Sequence, residues 1–271
     1  MRPIELRFRA LRVWSYLKND IWLGVKWVFQ RTELSNFYYK LEENNISDLV
    51  ALISTLTTIQ PSRIEDFVQE INSDSHVREV LLGFQESHPE LRDSEFSLGR
   101  RIGWYVFARI TKPQLIVETG VHHGMGGLTL LAALHKNGLE GSPGEYIGTD
   151  IDTKAGILLS ASKFKNWQIL LGDSLASLQE LHDGSVGLFI NDSDHSANYE
   201  RDEYSAIKDK LTTEAIILGD NCHATSSLRE FSRTQNRNFV FFREIPKDHF
   251  YPGAGIGISM PAMNPSVSNG S

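Results

Sequence analysis

The chain has 271 residues, 41% of them hydrophobic, and a formal net charge of −7. That composition excludes a disordered or fibrous chain and leaves room for one large or two modest domains with a substantial core. The acidic balance argues against nucleic acid as a partner, for which a basic surface is expected. The lone cysteine, Cys222, excludes an intramolecular disulfide framework and makes a reducing, cytoplasmic setting the simpler expectation.

Charge is unevenly spread. Residues 1–31 hold seven Lys/Arg against Glu5 and Asp20, a local +5 that leaves −12 on the remainder. Arg7, Arg9 and Arg12 interrupt the apolar run that a signal peptide would need, and no stretch approaches the ~20 apolar residues of a membrane span. Trp14, Leu17, Ile21, Trp22, Val25, Trp27, Val28 and Phe29 are interleaved with the basic residues at helical spacing. Such a helix would lie on an anionic membrane or a partner subunit, or, more simply, pack on the main domain.

Residues 32–95 predict further helices. NISDLVALISTL and SRIEDFVQEI each repeat apolar residues three and four apart, with a serine near the start. Residues 1–96 therefore read as an N-terminal helical region, a kind of addition that often covers a substrate pocket. SLGRRIGWYVFARI, 97–110, predicts one more amphipathic helix, broken at Lys112-Pro113.

From Gln114 the chain alternates between strand and helix patterns. Strands are predicted near 115–119, 145–150, 167–171, 186–191, 214–219 and 237–244, and helices near 125–137, 153–164, 174–182, 197–210 and 224–234. YPGAGIGISM, 251–260, reads as a strand antiparallel to its predecessor or as a plain loop. This order predicts an α/β fold with a mainly parallel sheet and helices on both faces. Ligands in such sheets bind beyond the carboxyl ends of the strands. The tail 261–271 reads as flexible.

The first of those ends is LIVETGVHHGMGG, 115–127, in which Glu118 closes a strand and Gly120, Gly124, Gly126 and Gly127 open a helix. Glycines there let backbone approach a ligand, and free N–H groups of the helix's first turn can bind it. A dinucleotide fingerprint fits poorly, because Gly124-x-Gly126-x-x-Thr129 has threonine where the third glycine belongs, so an NAD-dependent oxidoreductase is disfavoured. A purely structural strand–helix turn is the plain alternative.

Polar residues then recur at every strand end: Asp150, the triplet Gly172-Asp173-Ser174, Asp192 and Asp220-Asn221. Asp150 suits the two hydroxyls of a ribose, since a carboxylate accepts two hydrogen bonds at once, or else it caps a helix starting near Thr153. Asp192 and Asp220 fall on neighbouring strand tips, and oxygen side chains converging there suit a hard cation such as Mg²⁺. His195 is a candidate general base or a hydrogen-bonded turn residue, and His223 is the second candidate. A zinc site from His122, His123, Cys222 and His223 lacks the spacing of known zinc sites.

An acid before Gly120 and Asp150 one strand later resemble the class I S-adenosylmethionine-dependent methyltransferases. The D-x-D-H turn at Asp192 to His195, followed by Asp220-Asn221, resembles their divalent-metal-dependent O-methyltransferases, of the catechol and caffeoyl-CoA type. VETGVHHGMGG and DSDH look most like the macrocin O-methyltransferase group, which includes proteins named cephalosporin hydroxylase. The resemblance spans about residues 97–260. It implies a Rossmann-like seven-stranded sheet with an antiparallel last strand, and methyl transfer to a hydroxyl of a small molecule such as a sugar, polyketide or phenol.

Carried over residue by residue, Glu118 and Gly120 would hold the methionine part of S-adenosylmethionine, with Gly124 and Gly126 in the same turn. Asp150 would hold the ribose and Ser174 the adenine edge, with Asp173 and Asp192 also on the cofactor, and Asp192, Asp220 and Asn221 would hold the ion. His195 stands where the catechol type has a catalytic lysine, and Gly126 stands where a serine is common. An iron-dependent hydroxylase would need a two-histidine, one-carboxylate triad, which these residues do not supply. A non-catalytic cofactor-binding scaffold stays open, as does a homo-oligomer.

Overall fold

The structure, a computed structural model, describes residues 3–30, 38–89 and 97–262. Seven strands form one sheet: β1 Leu115–Thr119, β2 Glu145–Asp150, β3 Trp167–Leu171, β4 Val186–Asn191, β5 Leu211–Gly219, β6 Arg237–Arg243 and β7 Gly255–Pro261. Their order is β3-β2-β1-β4-β5-β7-β6. The first five pair in parallel, and β7 runs antiparallel between β5 and β6. The glycine-rich 251–260 stretch is thus a strand. The tail beyond residue 262 lies outside the described residues.

Each crossover carries a helix: α6 Met125–Leu139, α7 Ile157–Ala161, α8 Ser174–Gln179, α9 Ala197–Ile207 and α10 Ser227–Thr234. The sheet is apolar on both faces because its central strands are covered twice. Along β4, Leu188 and Ile190 join one core cluster while Phe189 joins the other. Helix α7 is shorter than the sequence pattern predicts. Residues 152–156 form a turn that ends at Gly156, φ 75°, where a Cβ would meet Ile169 Cδ1 at 2.1 Å.

The N-terminal region supplies α1 Pro3–Phe29, α2 Glu43–Thr57, α3 Pro61–Asn72 and α4 Ser75–Ser87, followed by α5 Arg101–Thr111. Helices α2 to α4 do not form a separate body. Leu49, Ile53, Ile64 and Phe67 pack in one cluster with Trp104 and Phe107 of α5 and Leu128 and Leu131 of α6. Buried Arg109 fastens this layer, with Nε 2.7 Å from Glu70 Oε1 and Nη2 2.6 Å from Glu140 Oε1. The serines expected to cap α2 and α3 lie inside those helices instead. Ser47 donates to Glu43 O, and α3 starts at Pro61, whose missing N–H suits a first helical position.

Residues 38–42 and the first turn of α2 meet the chain at and just past the end of β6. Leu41 bridges Pro246, the Glu42 N–H donates to Ile245 O at 2.9 Å, and Asn45 Nδ2 donates to Arg243 O at 3.0 Å. Helix α4 reaches the strand-tip side as well, where Phe84 stands 5.6 Å from His123 of the glycine turn. Helix α1 departs from the simpler expectation of packing on the main domain: Trp14 is 57% exposed and Trp22 62%. No helix among the described residues is long and apolar enough to cross a membrane.

Candidate active site

Three backbone hydrogen bonds level the strand tips. The Gly120 N–H donates to Thr149 O at 2.9 Å, the Asp192 N–H to Thr119 O at 2.9 Å, and the Asp220 N–H to Asn191 O at 2.8 Å. Gly120, φ 81°, is required here, because a Cβ would stand 2.0 Å from Asp192 O. Gly124, φ 91°, opens α6, and a Cβ on it would strike Leu159 Cδ1 at 2.2 Å.

Beside these tips lies a cavity of about 610 Å³, lined by Gly120, His122, Asp150, Gly172, Asp173, Ser174, Asp192 and Tyr199, with Thr149, Ile151, Ser193 and Asp194. Asp150 accepts the His122 N–H at 2.7 Å and the Asp152 N–H at 2.8 Å. It therefore braces the glycine turn and caps no helix, since α7 begins at Ile157. Asp173 caps α8 through the Leu175 N–H at 2.9 Å and accepts the Tyr199 hydroxyl at 2.8 Å.

Two predicted cofactor residues sit behind this wall. Glu118 is buried, accepts the Tyr146 hydroxyl at 2.5 Å, and is pushed up to about 7 by burial. Gly126 backs onto it, for a Cβ there would meet Glu118 Oε1 at 2.2 Å and Trp104 at 2.7 Å. The absence of a serine at this position thus has a packing cause. Neither residue lines the cavity.

Buried Glu203 of α9 connects the wall to the next strand tip. It accepts Ser174 Oγ at 2.5 Å, Ser193 Oγ at 2.6 Å and Asn191 Nδ2 at 2.5 Å. Burial raises its pKa against these hydrogen bonds. With Glu200, Tyr204 and Ile207 it forms a buried stripe at helical spacing. The two acids fall on the buried side of this amphipathic helix, a spacing present in the sequence, although the partners that satisfy them come from other stretches of chain.

The fourth and fifth tips bring two of the three predicted ion ligands, Asp192 and Asp220, together with the predicted base His195. Asp192, His195 and Asp220 each offer a ligand atom within 4.8 Å of one another, and no other such group occurs among the described residues. Asn221, φ 51°, joins through His195, with Nδ2 3.0 Å from Nε2. His195 Nε2 lies 3.7 Å from Asp192 Oδ1, and its Nδ1 lies 3.7 Å from Glu200 Oε1. The Glu200 carboxylate raises the ring's pKa against the effect of burial.

His223 is exposed in the turn beyond, away from these contacts. Cys222 is buried, and desolvation pushes its thiol up to about 12. It packs where a Cβ on Gly219 or Gly257 would meet Sγ at 2.5 or 2.4 Å.

Arg100, unpredicted, completes the cluster. Its Nη2 stands 2.7 Å from Asp220 Oδ2 and 3.9 Å from Asp192 Oδ2. Burial opposes the Asp220 charge, but the guanidinium overcomes it and holds this carboxyl below the ordinary range. Asp192, desolvated beside that charge, is pushed up. Behind Arg100, the Tyr39 hydroxyl donates to Glu244, which burial pushes up to about 7. Arg100 and Arg101 read in sequence as polar points on an amphipathic helix. In fact α5 is buried on nearly all sides.

Residues 117–222 match the model of a family described as a methyltransferase domain. An O-methyltransferase from Bacillus cereus, solved in complex with SAH, is 15% identical, with 70% of this chain and 91% of that one covered at a TM-score of 0.53. A methyltransferase from Geobacter sulfurreducens is 16% identical over 74% of this chain and 97% of that one, at 0.52. The O-methyltransferase TomG from Streptomyces achromogenes, solved with SAM, is 13% identical over 70% and 90%, at 0.51. No curated protein matches the sequence.

Residues 117–222 thus carry a methyltransferase domain, and the sheet around them has the Rossmann-like fold of the S-adenosylmethionine-dependent methyltransferases it resembles. The matched segment runs from β1 to just past β5, with α1 to α5 ahead of it and β6 and β7 after it.

Proposed function

We propose that the protein methylates a hydroxyl oxygen of a small-molecule acceptor, using S-adenosylmethionine and assisted by a divalent ion. The observation that carries this reading is the double role of Asp192. It lines the 610 Å³ cavity and also belongs to the carboxylate–imidazole cluster, so a donor and an acceptor would meet at one strand tip.

The cavity suits the donor. Its volume lies within the range of small-molecule sites, and Gly120 and Gly172 leave backbone open to it. Asp150 has lone pairs left after accepting two backbone N–H groups, enough for ribose hydroxyls. S-adenosylmethionine, when bound, supplies a methyl group on a sulfonium that an oxygen nucleophile displaces.

The cluster suits an ion as well. Asp220 Oδ1 is buried without a hydrogen-bond partner, which is costly unless a cation satisfies it. Asp192 and Asp220 would hold the ion, with Asn221 alongside and His195 left free of it. Carboxylate and amide oxygens suit Mg²⁺, Mn²⁺ or a related hard ion. A divalent ion at such a site lowers the pKa of an acceptor hydroxyl and orients its oxygen.

The chain's own groups do the rest. His195 is placed to take the acceptor proton at Nε2, with Glu200 steadying the ring from the Nδ1 side. Arg100 offsets the cluster's negative charge, with the Tyr39–Glu244 pair behind it.

Calorimetric titration with S-adenosylmethionine and S-adenosylhomocysteine tests the donor half, and absence of binding by both would overturn it. Transfer of labelled methyl to catechol, sugar and polyketide hydroxyls tests the acceptor half. Ion dependence is a separate part, defeated if transfer is indifferent to EDTA.

A further inference from the structure

Helix α1 contributes no residue to the cavity or to the carboxylate cluster described above. We propose that α1 docks the protein onto an anionic lipid surface, lying in the plane of the bilayer's headgroups. This inference is independent of the methyl-transfer reading.

Of the eighteen large hydrophobic side chains exposed among the described residues, thirteen lie on α1, from Ile4 at 82% exposure to Phe29 at 80%. A patch of that size is rare on a protein surface unless something covers it. The helix has 27 residues, about 40 Å of length at ~1.5 Å per residue. On a helical wheel of about 100° per residue, Leu6, Leu11, Trp14, Leu17, Ile21, Trp22, Val25, Val28 and Phe29 share one half, while Arg9, Arg12, Asn19, Asp20 and Lys26 fall on the other, interspersed with Phe8, Val13 and Tyr16. Arg7 and Lys18 project from the apolar half. Their long stems can lie along a lipid boundary with the charge raised to the headgroups.

Charge selects lipid over a protein groove. The helix carries Arg7, Arg9, Arg12, Lys18 and Lys26 against Glu5 and Asp20, while the chain beyond residue 31 carries −12. An anionic surface would attract α1 and repel the body, which fixes the orientation as well as the contact. Tryptophans and basic residues together are the usual side chains of a helix lying at this boundary.

The attachment point bears on what such docking would present. Trp27 packs on Phe250 at 4.5 Å between centroids, and the neighbouring Tyr251 stands 5.7 Å from Tyr39, which donates to Glu244 beside Arg100. The body therefore hangs from the carboxylate side of the site.

Flotation of the full chain tests this, with vesicles of phosphatidylcholine alone against equal parts of phosphatidylcholine and phosphatidylglycerol. Recovery is expected with the mixed vesicles, with little on the neutral ones and release by salt. Trp14→Ala/Trp22→Ala and Arg7→Glu/Arg12→Glu are each expected to weaken binding by at least roughly tenfold, at unchanged circular dichroism. No flotation, equal flotation on both vesicles, or variants that float like the parent would each overturn the proposal. A dimer by light scattering that the tryptophan pair abolishes, without flotation, would assign the helix to a second copy instead.

Discussion

Arg100 sets Nη2 2.7 Å from Asp220 Oδ2 and 3.9 Å from Asp192, so one guanidinium faces both carboxylates of the cluster. Removing one partner of a buried pair leaves the other charge uncompensated, at a cost of about 3–5 kcal/mol. Arg100→Met is therefore expected to lower stability to denaturant by that order. Adding Asp220→Asn should restore much of the loss. Additive effects in the double variant would show that the two side chains are not coupled.

The same contact predicts how the cluster treats cations. Calorimetry with Mn²⁺ is expected to show binding that Asp220→Asn abolishes. In Arg100→Met the affinity should rise by at least roughly tenfold, because a unit positive charge a few ångströms away has gone. Unchanged affinity in Arg100→Met would place the ion elsewhere.

Gly120→Ala puts a methyl group into Asp192 O and demands φ 81° of a residue with a Cβ. A strained residue of this kind costs on the order of 1–3 kcal/mol, and relief would displace the tip that lines the cavity. A lower melting temperature together with lost S-adenosylhomocysteine binding is expected. Retention of both would show that this turn yields easily.

Asp150→Ala removes the acceptor proposed for the ribose and also releases the His122 and Asp152 N–H groups. Hydrogen bonds to a charged group contribute roughly 1.5–3 kcal/mol, so affinity for S-adenosylhomocysteine should fall by about 10- to 100-fold. Asp150→Asn keeps part of the brace and should lose less. Equal affinity in all three proteins would remove Asp150 from the site.

Glu118 predicts a pH dependence. Its pKa of about 7 in the folded state exceeds the unfolded 4.5, so the folded state binds the proton more tightly. Its contribution to stability is complete below pH 4.5 and is lost as pH rises through about 7. Glu118→Gln, neutral throughout, should flatten the stability profile across that window. A profile identical to the parent's would show that Glu118 is not titrating there.

Sheet strands were legible because apolar runs bounded by glycine and acid have few other readings, and five of the first six strand starts fall where the pattern puts them. The acids at the tips were legible for the same reason, since position in an α/β alternation decides which end faces the ligand. Arg100 was not. Its neighbours on α5 look amphipathic until α2 to α4 cover the other side, and only tertiary packing turns a polar helix position into a buried charge. Glu203 was hidden likewise, its partners Ser174, Asn191 and Ser193 coming from two other stretches of chain.

The close approach of Gly120 to the Asp192 carbonyl ties the tip that lines the cavity to the tip that carries the carboxylate cluster. A donor in the cavity and an ion on the carboxylates would load the same residue. Affinity for either is therefore expected to depend on occupancy by the other, by the same factor in both directions.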